Sequence, residues 1–206
     1  MRYDCALTGP ITGVVFLGTM VGLPFLVPGY DSVHQTVSEL GEVGSPAQLA
    51  FTLCICAVAL CVLVFAWELR DASRQFGRPA GAAYVTACMA ISTAGVGIFS
   101  FPHPLHNVFG PSEIIGYQAP LVLALTWRGN PQTRAMVRFS WIMAALVWLA
   151  ILANFAVFDR DSALWALEKP FYGLVQRSLF LPWMVWAAGL GAMLMKERGD
   201  ARQSIA

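Results

Sequence analysis

Six apolar stretches constrain this sequence more than any other feature. Each approaches the roughly 20 residues that an α-helix needs to cross a hydrocarbon core. They cover residues 10–28, 48–67, 80–101, 111–127, 139–158 and 172–195. The fourth stretch is the weakest, because it is short, contains Gln118 and Pro120, and could begin earlier, near Val108. The stretches predict an all-α, polytopic membrane bundle of about six transmembrane helices.

Composition supports a membrane location for the whole chain. Of the 206 residues, 57% are apolar and 12% are charged, whereas soluble domains carry about 25% charged residues. The polar surface is therefore too small to cover a water-facing globule, and no linker separates two domains, so residues 1–206 are expected to form one bundle in a lipid bilayer. A net charge of +1 offers no clustered basic surface, which argues against a nucleic-acid partner.

The basic residues predict how the bundle is oriented. Most of them fall on one side if the N-terminus is cytoplasmic, as the positive-inside rule requires. These residues are Arg2, Arg70, Arg74, Arg78, Arg128, Arg134, Arg138, Lys196, Arg198 and Arg202. The sequence thus predicts a multi-pass protein of the cell membrane with both termini in the cytoplasm.

Polar residues of another kind collect on the predicted outer side. They comprise every histidine and seven acidic residues: His34, His103, His106, Asp31, Glu39, Glu42, Glu113, Asp159, Asp161 and Glu168. The inner loops are typical of membrane anchors, whereas the outer loops have the composition of a binding site.

Loop one, the outer loop at residues 30–47, contains a pattern for a short helix. Ser32-Val33-His34-Gln35 matches a Ser-x-x-Gln capping box, Val33, Val37 and Leu40 follow helical spacing, and Gly41 ends the pattern. We expect a short amphipathic helix at the membrane interface.

Two interpretations of that helix stay open. His34 and Ser38 are four residues apart and share one helical face, beside Glu39. The polar face is either simply solvated at the interface, or it folds over the mouth of the bundle as a lid that points His34 or Glu39 inward.

Loop three, which joins the third and fourth stretches at residues 101–107 on the outer side, is stiffened by two prolines and holds two histidines. A rigid Phe-Pro-His-Pro-Leu-His-Asn segment positions its side chains well. His103 and His106 could join His34 in a three-nitrogen zinc site with an open position. The alternative is that all three histidines are pH-responsive groups at the interface; no cofactor is expected in that case.

Arg177 is the most informative single charge. It lies more than one turn inside the sixth apolar stretch, where an unpaired guanidinium would be costly. We expect it to pair with an outer carboxylate such as Glu113, Glu39 or Glu168, or to bind an anion or a lipid headgroup, or to snorkel outward.

Motifs at the ends of three stretches carry a family resemblance. They are Ser38-Glu39-Leu40-Gly41 with Pro46, Gly97-Ile98-Phe99 leading to Pro102 and His106, and Gly173-Leu174 with Arg177 and Trp183. In this order over nearly the whole chain, the sequence resembles the bacterial and archaeal six-helix membrane proteins of the domain of unknown function 998 family. The resemblance implies fold and topology and leaves the activity open. The chain departs from the family pattern at His103-Pro104 and Gln176, where carboxylates are frequent.

The leading hypothesis is an outer polar mouth that binds a lipid headgroup, an amphiphile or a partner protein. Its expected residues are Ser38, Glu39, His106, Arg177 and Glu113. One alternative is a metal-dependent intramembrane hydrolase that uses His34, His103 and His106 with Ser38 or Glu39. Another is a small-solute transporter whose path Gln118, Asn154 and Arg177 would line. Whether the protein is an enzyme stays open on the sequence.

Overall fold

The structure, a computed structural model, describes residues 5–203, with side chains through residue 200; this part of the chain is helical and contains no β-strand. Its α-helices are α1 Thr8–Gly22, α2 Val37–Leu40, α3 Gln48–Gln75, α4 Gly81–Ile98, α5 His106–Gly116, α6 Ala119–Thr126, α7 Arg134–Asn154, α8 Ala163–Glu168 and α9 Tyr172–Gln203. Short 3-10 segments join or extend several of them: Cys5–Leu7, Leu23–Leu26, Pro131–Thr133, Phe155–Phe158 and Lys169–Phe171.

Within the described residues, 6 helical segments are long and apolar enough to cross a membrane: Cys5–Leu26, Gln48–Gln75, Gly81–Ile98, His106–Thr126, Pro131–Phe158 and Ala163–Asp200. The predicted all-α bundle of six transmembrane helices is therefore confirmed. Arg2 and the side chain of Arg202 lie outside the described part, and the cytoplasmic placement of both termini stays a prediction.

The fourth span begins earlier than residue 111 and is divided in two. It starts at His106, and α5 gives way to α6 around Tyr117 and Gln118. Pro120 lies in the first turn of α6, where its missing N–H costs nothing, but it cannot continue a helix from α5. The Gln118 side chain donates to the carbonyl of Ile114 at 2.9 Å and so satisfies a group near the break.

The spans form a closed ring in chain order. Each span packs against its neighbours in sequence, and α9 returns to pack against α1. Trp183, Trp186 and Phe65 are fully buried inside this ring. Large apolar side chains such as Val14 and Leu60 point outward, as expected for surfaces that face lipid.

Glycines allow the last helix to approach its neighbours closely. A Cβ at Gly191 would lie 2.5 Å from the carbonyl oxygen of Ala6, and one at Gly189 would lie 2.6 Å from the ring of Phe139. The Gly189-Leu190-Gly191 stretch thus packs α9 against both α1 and α7, as small residues do in membrane bundles.

The two ends of the bundle differ. The end that carries loop one, loop three and residues 159–171 holds all three histidines, and we call it the histidine end. At the opposite end, Glu68 is 3% exposed and its carboxylate accepts two hydrogen bonds from the guanidinium of Arg198. Burial of a carboxylate requires such a partner, so Arg198 does more than anchor the chain at the membrane surface.

The helix in loop one begins one turn later than predicted. Its N-cap is Thr36, and Glu39 closes the capping box by accepting hydrogen bonds from the N–H and hydroxyl of Thr36. The predicted cap at Ser32 is wrong. Asp31 holds the preceding residues in a turn, since its side chain accepts from the N–H of Val33 at 2.8 Å and its carbonyl accepts from the N–H of Gln35 at 2.8 Å.

Candidate functional site

Ser38 and His106 form a hydrogen-bonded pair at the histidine end. His106 Nε2 lies 3.0 Å from Ser38 Oγ, and His106 Nδ1 lies 2.8 Å from the carbonyl oxygen of Phe99. A carbonyl can only accept, so in the neutral imidazole Nδ1 carries the proton and Nε2 accepts from the Ser38 hydroxyl. His106 is 5% exposed, and these two hydrogen bonds hold its ring in one orientation.

Contacts between loop one and loop three hold this pair together. Ser38 lies in the single turn of α2, and His106 is the first residue of α5. The N–H of Val43 donates to the carbonyl of Phe101 at 2.9 Å, which ties the two loops directly. The ring of Phe101 also meets the His106 imidazole edge-on, with centroids 5.9 Å apart.

Arg177 holds loop one against the last helix. Its Nη1 donates to the carbonyls of Ser32, Gln35 and Gly173 at 2.9, 2.9 and 2.8 Å, and its Nη2 donates to the hydroxyl of Tyr30 at 2.6 Å. No carboxylate among the described residues pairs with it, so the expected ion pair with Glu39, Glu113 or Glu168 is wrong. Backbone carbonyls supply the compensation instead.

Tyr30 links Arg177 to the start of α2 through its hydroxyl. Burial raises the pKa of its hydroxyl, which therefore stays protonated at neutral pH. The hydroxyl donates to the carbonyl of Thr36 at 2.7 Å. Arg177, Tyr30 and Thr36 thus form a chain of hydrogen bonds that ends at the N-cap of the helix carrying Ser38.

Gln176 and Gly173, both in α9, also contact loop one and fix its position. The N–H of Val37 donates to Gln176 Oε1 at 2.7 Å. A Cβ at Gly173 would lie 2.5 to 2.8 Å from the carbonyl oxygens of Gln35, Ser32 and Val33, so only glycine allows this approach. The first turns of α9 therefore determine where α2, and with it Ser38, lies.

Glu113 is bound by two hydroxyl groups and not by Arg177. Thr93 donates to its Oε1 at 3.1 Å, and the hydroxyl of Tyr117 donates to its Oε2 at 3.3 Å. Neither partner carries charge, and within the described residues Glu113 takes part in no ion pair. This carboxyl group is therefore held by neutral hydroxyls on α4 and directly after α5.

A cavity of about 450 Å³ opens between these groups. Apolar side chains make most of its wall, including Phe51, Ile55, Met89, Ile151, Phe180, Trp183 and Met184. Polar side chains also line it, among them Ser38, His106, Thr93, Glu113, Tyr117, Asn154 and Gln176. The Ser38–His106 pair and Glu113 thus face one largely apolar chamber inside the helix ring.

Asn154 lines the chamber and also connects two helices. Its amide donates to the carbonyl of Ala150 on its own helix at 2.8 Å and to that of Val175 on α9 at 3.0 Å. This second bond crosses from α7 to α9. The Gln118 side chain, by contrast, bonds within its own span.

The three histidines are held separately. His34 Nδ1 lies 2.7 Å from the carboxyl group of Asp31. The hydrogen bond from the Val33 N–H is the main cause that lowers the pKa of this carboxyl group, and the hydrogen bond with His34 is the second. His103 accepts from the N–H of Leu105 at 3.1 Å. Across residues 5–200, no group of three or more His, Cys, Asp or Glu side chains is arranged to hold a metal ion, so the expected site on His34, His103 and His106 is not assembled.

Of the five residues expected at the polar mouth, three line the same cavity and two hold loop one in place. Ser38, His106 and Glu113 line the chamber, whereas Glu39 caps α2 and Arg177 seats loop one. The sequence did not reveal the roles of Tyr30, Thr93 and Tyr117, or the hydrogen bond that Gln176 accepts from Val37. Only Gln176 gave a signal, as a polar departure from the family pattern beside Arg177.

The protein is a six-helix transmembrane bundle that contains a largely apolar chamber with several polar side chains in its wall. This architecture defines its class. Residues 10–193 match the family described as Protein of unknown function (DUF998), and the chain belongs to that family. Comparisons with curated proteins and with solved structures gave no match.

Proposed function

We propose that this protein binds a membrane amphiphile in the chamber of the helix ring. The observation that carries the proposal is the cavity of about 450 Å³ with a largely apolar wall and a few polar groups. Small-molecule sites have this character, with volumes of roughly 300–1,000 Å³. The hydrocarbon part would lie among Phe51, Met89 and Phe180, and the polar part would reach Ser38 and His106.

The charges on the wall favour some polar groups over others. Glu113 is the acidic group among the described lining residues, and no Lys or Arg lies with it. An anionic headgroup would meet a carboxyl group without a compensating cation in a medium of low polarity, which is costly. A neutral, ester-bearing or cationic amphiphile therefore suits this chamber better than a free anion. Arg177 is occupied by loop one and is not needed for binding.

The chamber wall also supports entry from the membrane. Ile114 on α5 and Phe158 after α7 both line the cavity, and both side chains are exposed. We infer that a hydrocarbon chain enters from the bilayer beside these side chains, without crossing water.

Photocrosslinking tests the proposal. The protein is reconstituted in nanodiscs with a monoacylglycerol that carries a diazirine in its acyl chain, and the adducts are mapped by mass spectrometry. We expect adducts on Trp183 and Met184, which line the chamber and are buried from the outside. Adducts confined to lipid-facing side chains would contradict the proposal.

A matched pair of glycine substitutions makes the test specific. Gly110 lines the chamber, and a Cβ there meets no atom within 4 Å, so Gly110→Phe would place a ring in open space. Gly18 also has no atom within 4 Å of a Cβ, but it lies on the exposed face of α1. We expect Gly110→Phe to remove the Trp183 and Met184 adducts, and Gly18→Phe to leave them unchanged.

A further inference from the structure

We propose that Ser38 and His106 act as nucleophile and general base in acyl transfer from an ester-bearing amphiphile. The inference rests on the proposed binding function, because the ester would be presented by an amphiphile in the chamber. It assigns a reaction to the pair and requires no metal ion.

The geometry of the pair fits a serine nucleophile activated by a base. Ser38 Oγ lies 3.0 Å from His106 Nε2, within the distance needed for proton transfer. The carbonyl of Phe99 holds Nδ1–H at 2.8 Å, so the lone pair of Nε2 points at the hydroxyl. A third group that fixes the imidazole is the usual requirement, and here a backbone carbonyl takes the place of a carboxylate.

The pair also faces the space where a substrate would lie. Both side chains line the chamber, yet they come from segments 68 residues apart. A hydrogen bond that served only to fasten loop one to loop three would not need to open onto an apolar chamber. The loops are already joined by the Val43–Phe101 backbone bond of 2.9 Å.

Gln176 offers a donor for the oxyanion. Its Oε1 accepts from the N–H of Val37, the residue next to Ser38, which fixes the orientation of the amide. Its Nε2 makes no hydrogen bond to the described residues, and Gln176 lines the chamber.

The proposed reaction has two balanced steps. Ser38 Oγ attacks the ester carbonyl as its proton passes to His106 Nε2; the bond from the carbonyl carbon to the alkoxy oxygen then breaks, and the leaving alcohol takes the proton from His106. A water molecule or a second alcohol next loses its proton to His106 and attacks the acyl-serine. The Ser38 Oγ–acyl bond breaks, and the proton returns to Ser38.

An alkyl fluorophosphonate tests the nucleophile on the full chain in nanodiscs. We expect a phosphonyl adduct on Ser38, located by mass spectrometry, and slow hydrolysis of p-nitrophenyl octanoate. Ser38→Ala should remove both signals. Ser45→Ala is the matched control, because Ser45 lies in the same loop, donates to the carbonyl of Leu40 at 2.7 Å and does not line the chamber.

Two further variants separate a catalytic role from a structural one. His106→Asn should slow adduct formation by roughly 10²–10⁴-fold. Gln176→Glu keeps the acceptor for the Val37 N–H but loses the donor, so it should slow ester hydrolysis by roughly 10²–10³-fold while amide exchange in loop one stays unchanged. An equal rate in all variants, or in denatured protein, would overturn the proposal.

The adduct on Ser38 is sought in the unaltered protein, so the result does not depend on whether a variant folds. Diazirine adducts on Trp183 and Met184 without a Ser38 adduct would overturn the acyl transfer and leave amphiphile binding standing. Absence of both kinds of adduct would overturn both proposals.

Discussion

The guanidinium of Arg177 donates a hydrogen bond of 2.6 Å to the hydroxyl of Tyr30, 147 residues earlier in the chain. The same guanidinium donates to the backbone carbonyls of Ser32 and Gln35. The last span therefore determines the path of loop one, and loop one carries Ser38 to His106.

Replacing Arg177 should loosen loop one and destabilise the whole bundle. Arg177→Ala leaves several carbonyls without a donor, and hydrogen bonds to charged groups contribute about 1.5–3 kcal/mol each, so we expect a loss of at least about 3 kcal/mol in the free energy of unfolding. Titration with a denaturing detergent, followed by tryptophan fluorescence, measures it. Arg138→Ala, at an exposed position of α7, is the control.

Lysine at position 177 separates charge from geometry. It keeps the positive charge but lacks the planar fork that reaches Tyr30 and the carbonyls together. We expect Arg177→Lys to recover only a minor part of the lost stability. Full recovery would mean that charge alone holds loop one.

Gly173→Ala should be destabilising although alanine is the better helix former. The new Cβ would lie 2.5 to 2.8 Å from three carbonyl oxygens of loop one, and overpacking of this kind costs about 1–3 kcal/mol. Gly18→Ala enters open space and should be neutral or stabilise by up to about 1 kcal/mol. The same detergent titration compares the two, and a stable Gly173→Ala protein would contradict the close packing of α9 on loop one.

The capping box of α2 can be tested by hydrogen exchange. Glu39→Ala removes the acceptor for the N–H and hydroxyl of Thr36, and loss of such a cap costs about 1 kcal/mol. We expect faster exchange at residues 36–41, with the rest of the bundle unchanged. Ser32→Ala is the control and should leave exchange as it is; the reverse result would return the cap to Ser32.

Fusion reporters test the predicted orientation. A reporter fused after Ala206 should be active only in the cytoplasm, and one inserted near Gly44 only outside, because the basic residues are concentrated on one set of loops. Six spans place both termini on the same side. Activity of both reporters in the same compartment would contradict this topology.

The sequence by itself determined the spans and the importance of Arg177. Hydropathy is a property of local composition, so a stretch long enough to cross a bilayer is visible without knowledge of its neighbours. The cost of a charge in such a stretch is equally local, which is why Arg177 stood out. Even there, the start of the fourth span was placed too late, because His106 and Asn107 are polar yet helical.

Only the tertiary structure decided which groups meet. Arg177 binds carbonyls rather than a carboxylate, and every residue has a carbonyl, so no residue type in the sequence could mark these partners. The cap of α2 moved to Thr36 because Asp31 and Arg177 occupy the backbone groups of the preceding turn. Ser38 meets His106 because two loops are joined across the ring; such contacts depend on the packed path of the backbone, which local patterns do not contain.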